Sequence, residues 1–382
     1  LLSGLLPQDH GVRLFFQLVP RDVALLPDLL PDEYETAAFV SNVVLTDEAL
    51  GIADRFDHFD DYVDQRESAR RVFERNAHRT SAAALDWLAG RADPARPFFL
   101  WVHYIDPHGP YRAPMPWSNH FESDEPRPVP VARIPAYTRV RGLRDGNAYV
   151  ARYDSEVAYV DTEVDRLIEG LQDRGRLEDA LVILTADHGE SMMEHERWFT
   201  HGYHVYEEIV RVPLLVRAPG VEAGSSPTPV SGIDVAGTVL AFAGREPPAG
   251  TVDLRRPERI DPDRPVFSEA TASRGIQWRA VVVGTEKRLV SMSSGGGAAA
   301  DSPRVVERRG YDLASDPDEL RASDPGESDP LVQVLLRKVE EDPDPAGVPT
   351  RYRRGIQIGA PKVRPGIEPD DVDRLRQLGY VE

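Results

Sequence analysis

From Asn147 onward the apolar residues Tyr153, Val157, Val160, Val164, Leu167 and Leu171 recur at steps of four and three. That spacing draws one continuous apolar stripe along a helix, and such a helix must lay its stripe on another element. The chain then passes Gly175 and enters Leu181-Val182-Ile183-Leu184-Thr185-Ala186, a short apolar run that reads as a buried parallel strand. Thr36–Val40 and Phe98–Val102 are two more runs of this kind, and Asp22–Leu30, closed by Pro31, and Ala69–Ala89 show helical spacing between them. Strand and helix in alternation require a mostly parallel sheet covered by helices. The expected fold class is therefore α/β, a mostly parallel central sheet flanked by helices. Past the Pro-rich, charged stretch Arg245–Pro265 the pattern changes. Arg279–Val283 and Lys287–Val290 read as paired strands, with Gly310–Leu313 as a further edge and Leu331–Val339 as a helix. The expected division is a catalytic α/β part over 1–250 and a smaller α+β part over 251–382.

In an open α/β sheet, ligands gather beyond the carboxyl ends of the strands. The run Leu181–Ala186 leads directly into Asp187-His188-Gly189-Glu190. Asp187 offers hard oxygen and His188 a neutral imidazole nitrogen, both suited to a divalent metal, and Gly189 allows a turn that aims adjacent side chains at one point. Beyond the second strand, Phe98–Val102, lies Asp106-Pro107-His108-Gly109-Pro110-Tyr111, where prolines on either side stiffen the loop that carries His108.

Composition narrows the partners. The 382 residues carry a net charge of −19, which argues against wrapping nucleic acid over a broad surface. An anionic substrate would need a local positive focus. There is no cysteine, so neither disulfides nor a thiolate nucleophile are available within the chain. No run of 18 apolar residues exists to span a membrane.

Four segments in order, Leu184-Thr185-Ala186-Asp187-His188-Gly189-Glu190, His201-Gly202, Tyr206-Glu207-Glu208 with Arg211-Val212-Pro213-Leu214, and Ala218-Pro219-Gly220, resemble the sulfatase family of the alkaline-phosphatase-like superfamily. Pro97–Pro114 matches the family's His-x-Pro segment, and Tyr311–Pro317 its usual closing segment in a small antiparallel C-terminal sheet. Leu1–Val12 resembles the stretch that directly follows the family's nucleophile motif. The resemblance therefore implies a chain that begins just after that motif and after the strand bearing the paired metal-binding aspartates, and that is inactive as it stands.

The resemblance further implies a divalent metal on Asp187 and His188, completed by acidic ligands from that upstream part. Calcium is the first expectation, with manganese or zinc admitted because His188 brings nitrogen where many relatives have Asn. His108 and His201 would contact the ester oxygens, one of them protonating the leaving alcohol. The nucleophile of relatives is a formylglycine hydrate made from Cys or Ser, whose attack gives a covalent sulfo-enzyme.

Blander readings are kept for the remaining candidates. His10 and His103 are structural, His195 and His204 belong to a lid or the surface, and Phe56–Asp61 is a surface loop. Phe121–Gly146, with Arg133, Arg139, Arg141 and Arg144, is a solvated loop, and Ser231 an N-cap. The expected function is metal-dependent hydrolysis of a small-molecule or glycan sulfate ester. The alternatives are a phosphodiesterase or phosphonate monoester hydrolase of the same superfamily, or an inactive anion-binding relative. The substrate's identity, oligomeric state and compartment stay open, although many relatives are exported to the periplasm or beyond.

Overall fold

The computed structural model describes residues 1–63, 65–66, 73–123, 125–272, 276–293 and 303–343. The glycine-rich Ser293–Asp301 stretch, apart from Ser293, and the tail Asp370–Val381 fall outside them.

Strand β1 (Glu35–Phe39) lies between β2 (His58–Asp60) and β3 (Phe98–Val102), and both pairings are parallel. Ala37, Ala38 and Phe39 are buried, as a central strand covered on both faces requires. The stretch expected as a surface loop, Phe56–Asp61, thus supplies a sheet strand. Its alternation is too short to register as one, and pairing with β1 decides the matter.

Helix α1 (Ala77–Gly90) starts later than Ala69, because Asn76 caps it by accepting the Arg79 amide and Phe73–Glu74 is extended. The Asp22–Leu30 helix shrinks to the single turn Leu26–Leu29, since Pro27 is tolerated only in a first turn. Helix α2 (Gly146–Asp173) runs 28 residues, capped by Asp145 through the Asn147 amide. At Gly170 any side chain would overlap Leu85 of α1, so the glycine is what lets the two helices pack closely.

Strand β4 (Val182–Thr185) departs from expectation in one respect. It pairs antiparallel with β5 (Leu214–Arg217), and is half-buried along its length. Among the described residues no ladder joins this pair to the parallel sheet. Leu88 of α1 and Leu171 of α2 hold the two together by packing with Leu177 against Phe98, Leu100 and Val182. The ends of β3 and β4 are thereby brought to one side of the molecule.

Helix α3 (Asp234–Phe242) follows. Its first residue, not Ser231, organises the entry: the Asp234 carboxylate accepts the Ser231 and Val252 amides and pairs with Arg264. The C-terminal sheet is antiparallel, with β6 (Val266–Ala272), β7 (Ile276–Val283), β8 (Glu286–Ser293) and edge strand β9 (Arg304–Asp312) in that order. Alternate residues face opposite ways. Val281, Val290 and Met292 pack on Leu335 and Val339 of helix α4 (Pro330–Glu340), while Ala280, Leu289 and Tyr311 pack on Val205 and Tyr206. The sheet is thus the backing for the segment that follows His201. No helix among the described residues is long and apolar enough to cross a membrane.

Candidate active site

Asp187 lies just past β4 and is aimed by the turn that Gly189 makes. The Gly189 amide donates to the Ile209 carbonyl at 2.7 Å, and a Cβ here would collide with the Glu208 carbonyl oxygen. The strand end is therefore clamped to the one-turn helix Glu207–Val210. That turn is fixed from behind by Lys287, fully buried, whose ammonium reaches Glu207 at 2.7 Å and Glu319 at 3.0 Å. Burial raises the Glu319 carboxyl above its usual range, against the pull of Lys287.

At the tip of β4 the His188 amide donates to Oδ1 of Asp187 at 2.9 Å, and Nε2 of His188 lies 3.8 Å from the same oxygen. Nδ1 of His188 sits 2.9 Å from the Gly189 carbonyl, an acceptor, so Nδ1 carries a proton. The Asp187 side chain is 65% exposed, and although desolvation works to raise its carboxyl, the His188, His103 and His201 imidazoles and the His188 amide hold it below the usual carboxylate range.

The ring of His201 stacks on His188 at 4.2 Å between centroids, and His108 meets His201 edge-on at 5.3 Å. Nδ1 of His108 contacts the Gly109 carbonyl at 2.9 Å, and Tyr137 stacks on the His108 ring at 5.6 Å while also lying 6.1 Å from the His201 ring. The four residues singled out from the sequence, Asp187, His188, His108 and His201, thus lie together, drawn from loops after two different strands.

Three neighbours escaped the sequence reading. Glu190, nearly buried, reaches Nδ1 of His201 at 3.3 Å. It also stands beside Tyr111 and Tyr153. Burial, with the Glu190 charge adding to it, pushes Tyr153 up to about 12 and Tyr111 well above its ordinary value. Glu190 was visible in its motif but had no partner to show its role. Tyr137 is buried within a stretch that read as solvated loop. His103, expected to be structural, does bond to Ser41 at 3.1 Å, yet it also lies close enough to Asp187 to feel its charge. No sequence signal distinguishes those two roles.

His195 and His204 are not surface residues. Nδ1 of His195 is 2.9 Å from Glu208 and its ring lies flat on Tyr206 at 3.8 Å, while His204 is 2% exposed beside Ser191. Both belong to the buried support between Glu208 and the C-terminal sheet. His10 caps a local turn, accepting the Val12 amide.

Among the described residues no group of three or more His, Asp or Glu converges as a metal site would require. Asp187 and His188 offer an oxygen and a nitrogen 3.8 Å apart, donor types that suit a divalent ion.

The family model for sulfatases matches residues 1–245. The chain belongs to the sulfatase family. It is 33% identical over 184 residues to an uncharacterized sulfatase, YidJ, of Escherichia coli, and 30% identical over 169 residues to a choline-sulfatase of Rhizobium meliloti. These matches take in 45% and 39% of the present chain but only 37% and 32% of the two relatives, so the sulfatase chain corresponds to about a third of each. The solved phosphonate monoester hydrolase of Silicibacter pomeroyi superposes with a TM-score of 0.64 at 19% identity, covering 89% of this chain and 84% of its own. At that identity the likeness is one of fold.

Proposed function

We propose that the whole protein is a metal-dependent sulfuric-ester hydrolase. The observation that carries this reading is the imidazole cluster at the tip of β4, where His201 lies between His188 and His108 at 4.2 and 5.3 Å and Asp187 adjoins His188. A sulfate ester repels an incoming nucleophile through its own anionic oxygens, so catalysis needs positive charge and hydrogen-bond donors placed around them. His108 and His201 supply donors from two sides. Glu190 accepts from Nδ1 of His201 and so directs Nε2 away from itself and toward the cleft. Tyr137 holds the His108 ring in place by stacking. When the nucleophile attacks sulfur, the S–O bond to the alcohol breaks, and one of these imidazoles gives its proton to the departing oxygen.

A divalent ion on Asp187 and His188 would add Lewis-acid stabilisation of the ester oxygens, and calcium, manganese and zinc all suit this donor pair to differing degrees. By family resemblance the attacking group would be a formylglycine hydrate, and the intermediate a covalent sulfo-enzyme. Relatives named as choline-sulfatase and arylsulfatase support a sulfate ester on a small molecule, and one named as an N-acetylglucosamine-6-O-sulfatase supports a glycan.

A second reading is hydrolysis of a phosphonate monoester or phosphodiester, a chemistry that a phosphonate monoester hydrolase carries out on the same fold. Turnover of an aryl sulfate against an aryl phosphonate monoester by the full-length protein separates the two. Faster sulfate turnover supports the first reading, and a preference for the phosphonate overturns it.

A further inference from the structure

Beside the histidine cluster is an open cavity of about 330 Å³ that the chemistry above does not use. One wall is the stretch Ala132–Ala136 with Arg139, and the other comes from Glu196–Trp198, Thr200 and Tyr203. Both walls run directly into the site. Ala136 precedes Tyr137, which stacks on His108, and Thr200 precedes His201. With consecutive Cα atoms about 3.8 Å apart, the backbone of each wall is thus one residue from a ring of the histidine cluster.

Its chemistry differs from that of the surrounding protein. The chain as a whole carries a net charge of −19, yet this cavity presents the guanidinium groups of Arg133, Arg139 and Arg197 against the single carboxylate of Glu196. Glu196 approaches Arg133 at 3.6 Å with a side chain 82% exposed, so it screens that arginine only weakly. Arg133 lies over the Trp198 ring at 3.9 Å, and Arg197 over Tyr203 at 5.9 Å. Stacking of this kind orients a planar guanidinium and keeps its N–H edge available for a two-pronged bond to a carboxylate or sulfate. The Thr200 side chain, 5% exposed, lines the same cavity, and its hydroxyl has no hydrogen-bond partner among the described residues.

The backbone that presents Arg197 and Trp198 is held under strain. His195, Glu196 and Phe199 take φ of 47°, 56° and 53°, a region that a side-chain-bearing residue adopts only at a cost. The surroundings enforce it. Glu194 accepts the Met192 and Met193 amides at 2.6 and 3.0 Å, and the buried Phe199 ring stacks on Tyr149 at 4.5 Å. A segment with no binding task would relax, whereas one that must hold cations in a fixed place gains from being preorganised.

We infer that this cavity is a specificity subsite for a second anionic group, a carboxylate or another sulfate, carried by the same substrate molecule as the scissile ester. The substrate class is then an acidic or multiply sulfated sugar or aryl ester, in preference to a neutral monosulfate. The inference rests on the sulfuric-ester reading of the neighbouring histidines.

The test uses the full-length protein and three aryl sulfates: unsubstituted, bearing a carboxylate, and bearing a sulfonate. The expected result is a kcat/KM advantage for an ester with the extra charge. That advantage falls at least tenfold in Arg197→Glu and in Arg133→Glu and is largely restored in Arg197→Lys, and whichever substituted ester gains more identifies the preferred anion. An advantage that survives both charge reversals, or no advantage in the wild type, overturns the subsite. Should no sulfate ester be turned over, calorimetry with the non-hydrolysable arylmethanesulfonate counterparts, in which CH2 replaces the bridging oxygen, keeps the two ideas apart. Tighter binding of the charged analogue, abolished by Arg197→Glu, upholds the subsite while the reaction assignment fails, and equal binding of both analogues overturns the subsite as well.

Discussion

Oε1 of Glu190 lies 3.3 Å from Nδ1 of His201, with the Glu190 side chain 6% exposed. A carboxylate so placed sets which ring nitrogen of the histidine carries a proton, and it does so from inside the protein, where water does not compete. Substituting Glu190→Gln should lower kcat by about tenfold while leaving KM little changed, a part of the roughly 10²–10⁴ that positioned acid–base groups contribute. Steady-state kinetics on the full-length enzyme, with a shifted pH profile as the accompanying sign, check it. A change confined to KM would count against an orienting role.

The two imidazoles that face the ester should matter far more than the two that brace the loop. His108→Ala and His201→Ala are each expected to cost ~10²–10⁴ in kcat. His195→Ala removes the contact to Glu208 and the stack on Tyr206, and should act mainly on stability. Parallel measurement of turnover and of urea midpoint distinguishes them, and equal small losses in all three variants would reject the assignment.

A metal on Asp187 and His188, as proposed, carries its own prediction. Chelation should abolish turnover and readdition of a divalent ion should restore it. Asp187→Asn and His188→Ala should each leave the purified full-length protein with less bound metal, read by elemental analysis. Full metal content in both variants would show that the ion sits elsewhere.

Lys287 neutralises two carboxylates in a fully buried place. Lys287→Met should destabilise the protein by about 3–5 kcal/mol, because it leaves Glu207 and Glu319 uncompensated. Adding Glu319→Gln should recover part of the loss. Equilibrium unfolding in urea measures both. Activity should fall with stability, since the turn that Lys287 anchors clamps Gly189.

The His204 imidazole is pushed down to about 4 by burial, with Glu208 pulling the other way and Arg197, His195 and Lys287 reinforcing the fall. Its ordinary value is near 6.5, so between pH 6.5 and 4 the unfolded chain takes up a proton that the native state refuses. The sign is therefore a loss of stability as pH drops through that window, by up to about 3 kcal/mol, with none above it. His195, raised by its bond to Glu208 against burial, acts oppositely, and its contribution fades as pH rises. Urea stability of wild type and His204→Asn at pH 7.5 and 4.5 should show the smaller acid loss in the variant.

Much of this was legible in the chain alone. The helix read from the Tyr153-to-Leu171 spacing, the runs Thr36–Val40 and Phe98–Val102, and the pairing of Arg279–Val283 with Lys287–Val290 are local patterns, although the face that the helix buries takes in Tyr149, Tyr159, Leu167 and Leu171 and leaves Val157 42% exposed. Asp187 and His188 are adjacent in sequence, so their convergence needed only a turn. The four-segment likeness brought in His201, and the flanking prolines marked His108. Other features depend on contacts between distant residues. The antiparallel pairing of Val182–Thr185 is set by its partner Leu214–Arg217, and His58–Asp60 becomes a strand only beside Glu35–Phe39. Glu190, Tyr137 and the buried Lys287 acquire their roles from neighbours 11 to 80 residues away. The grouping of Arg197 with Arg133 and Arg139 likewise exists only once the loops are folded together. Periodicity records which face of an element is apolar, but the meeting of charges across a cleft is decided by packing, and no local spacing encodes it.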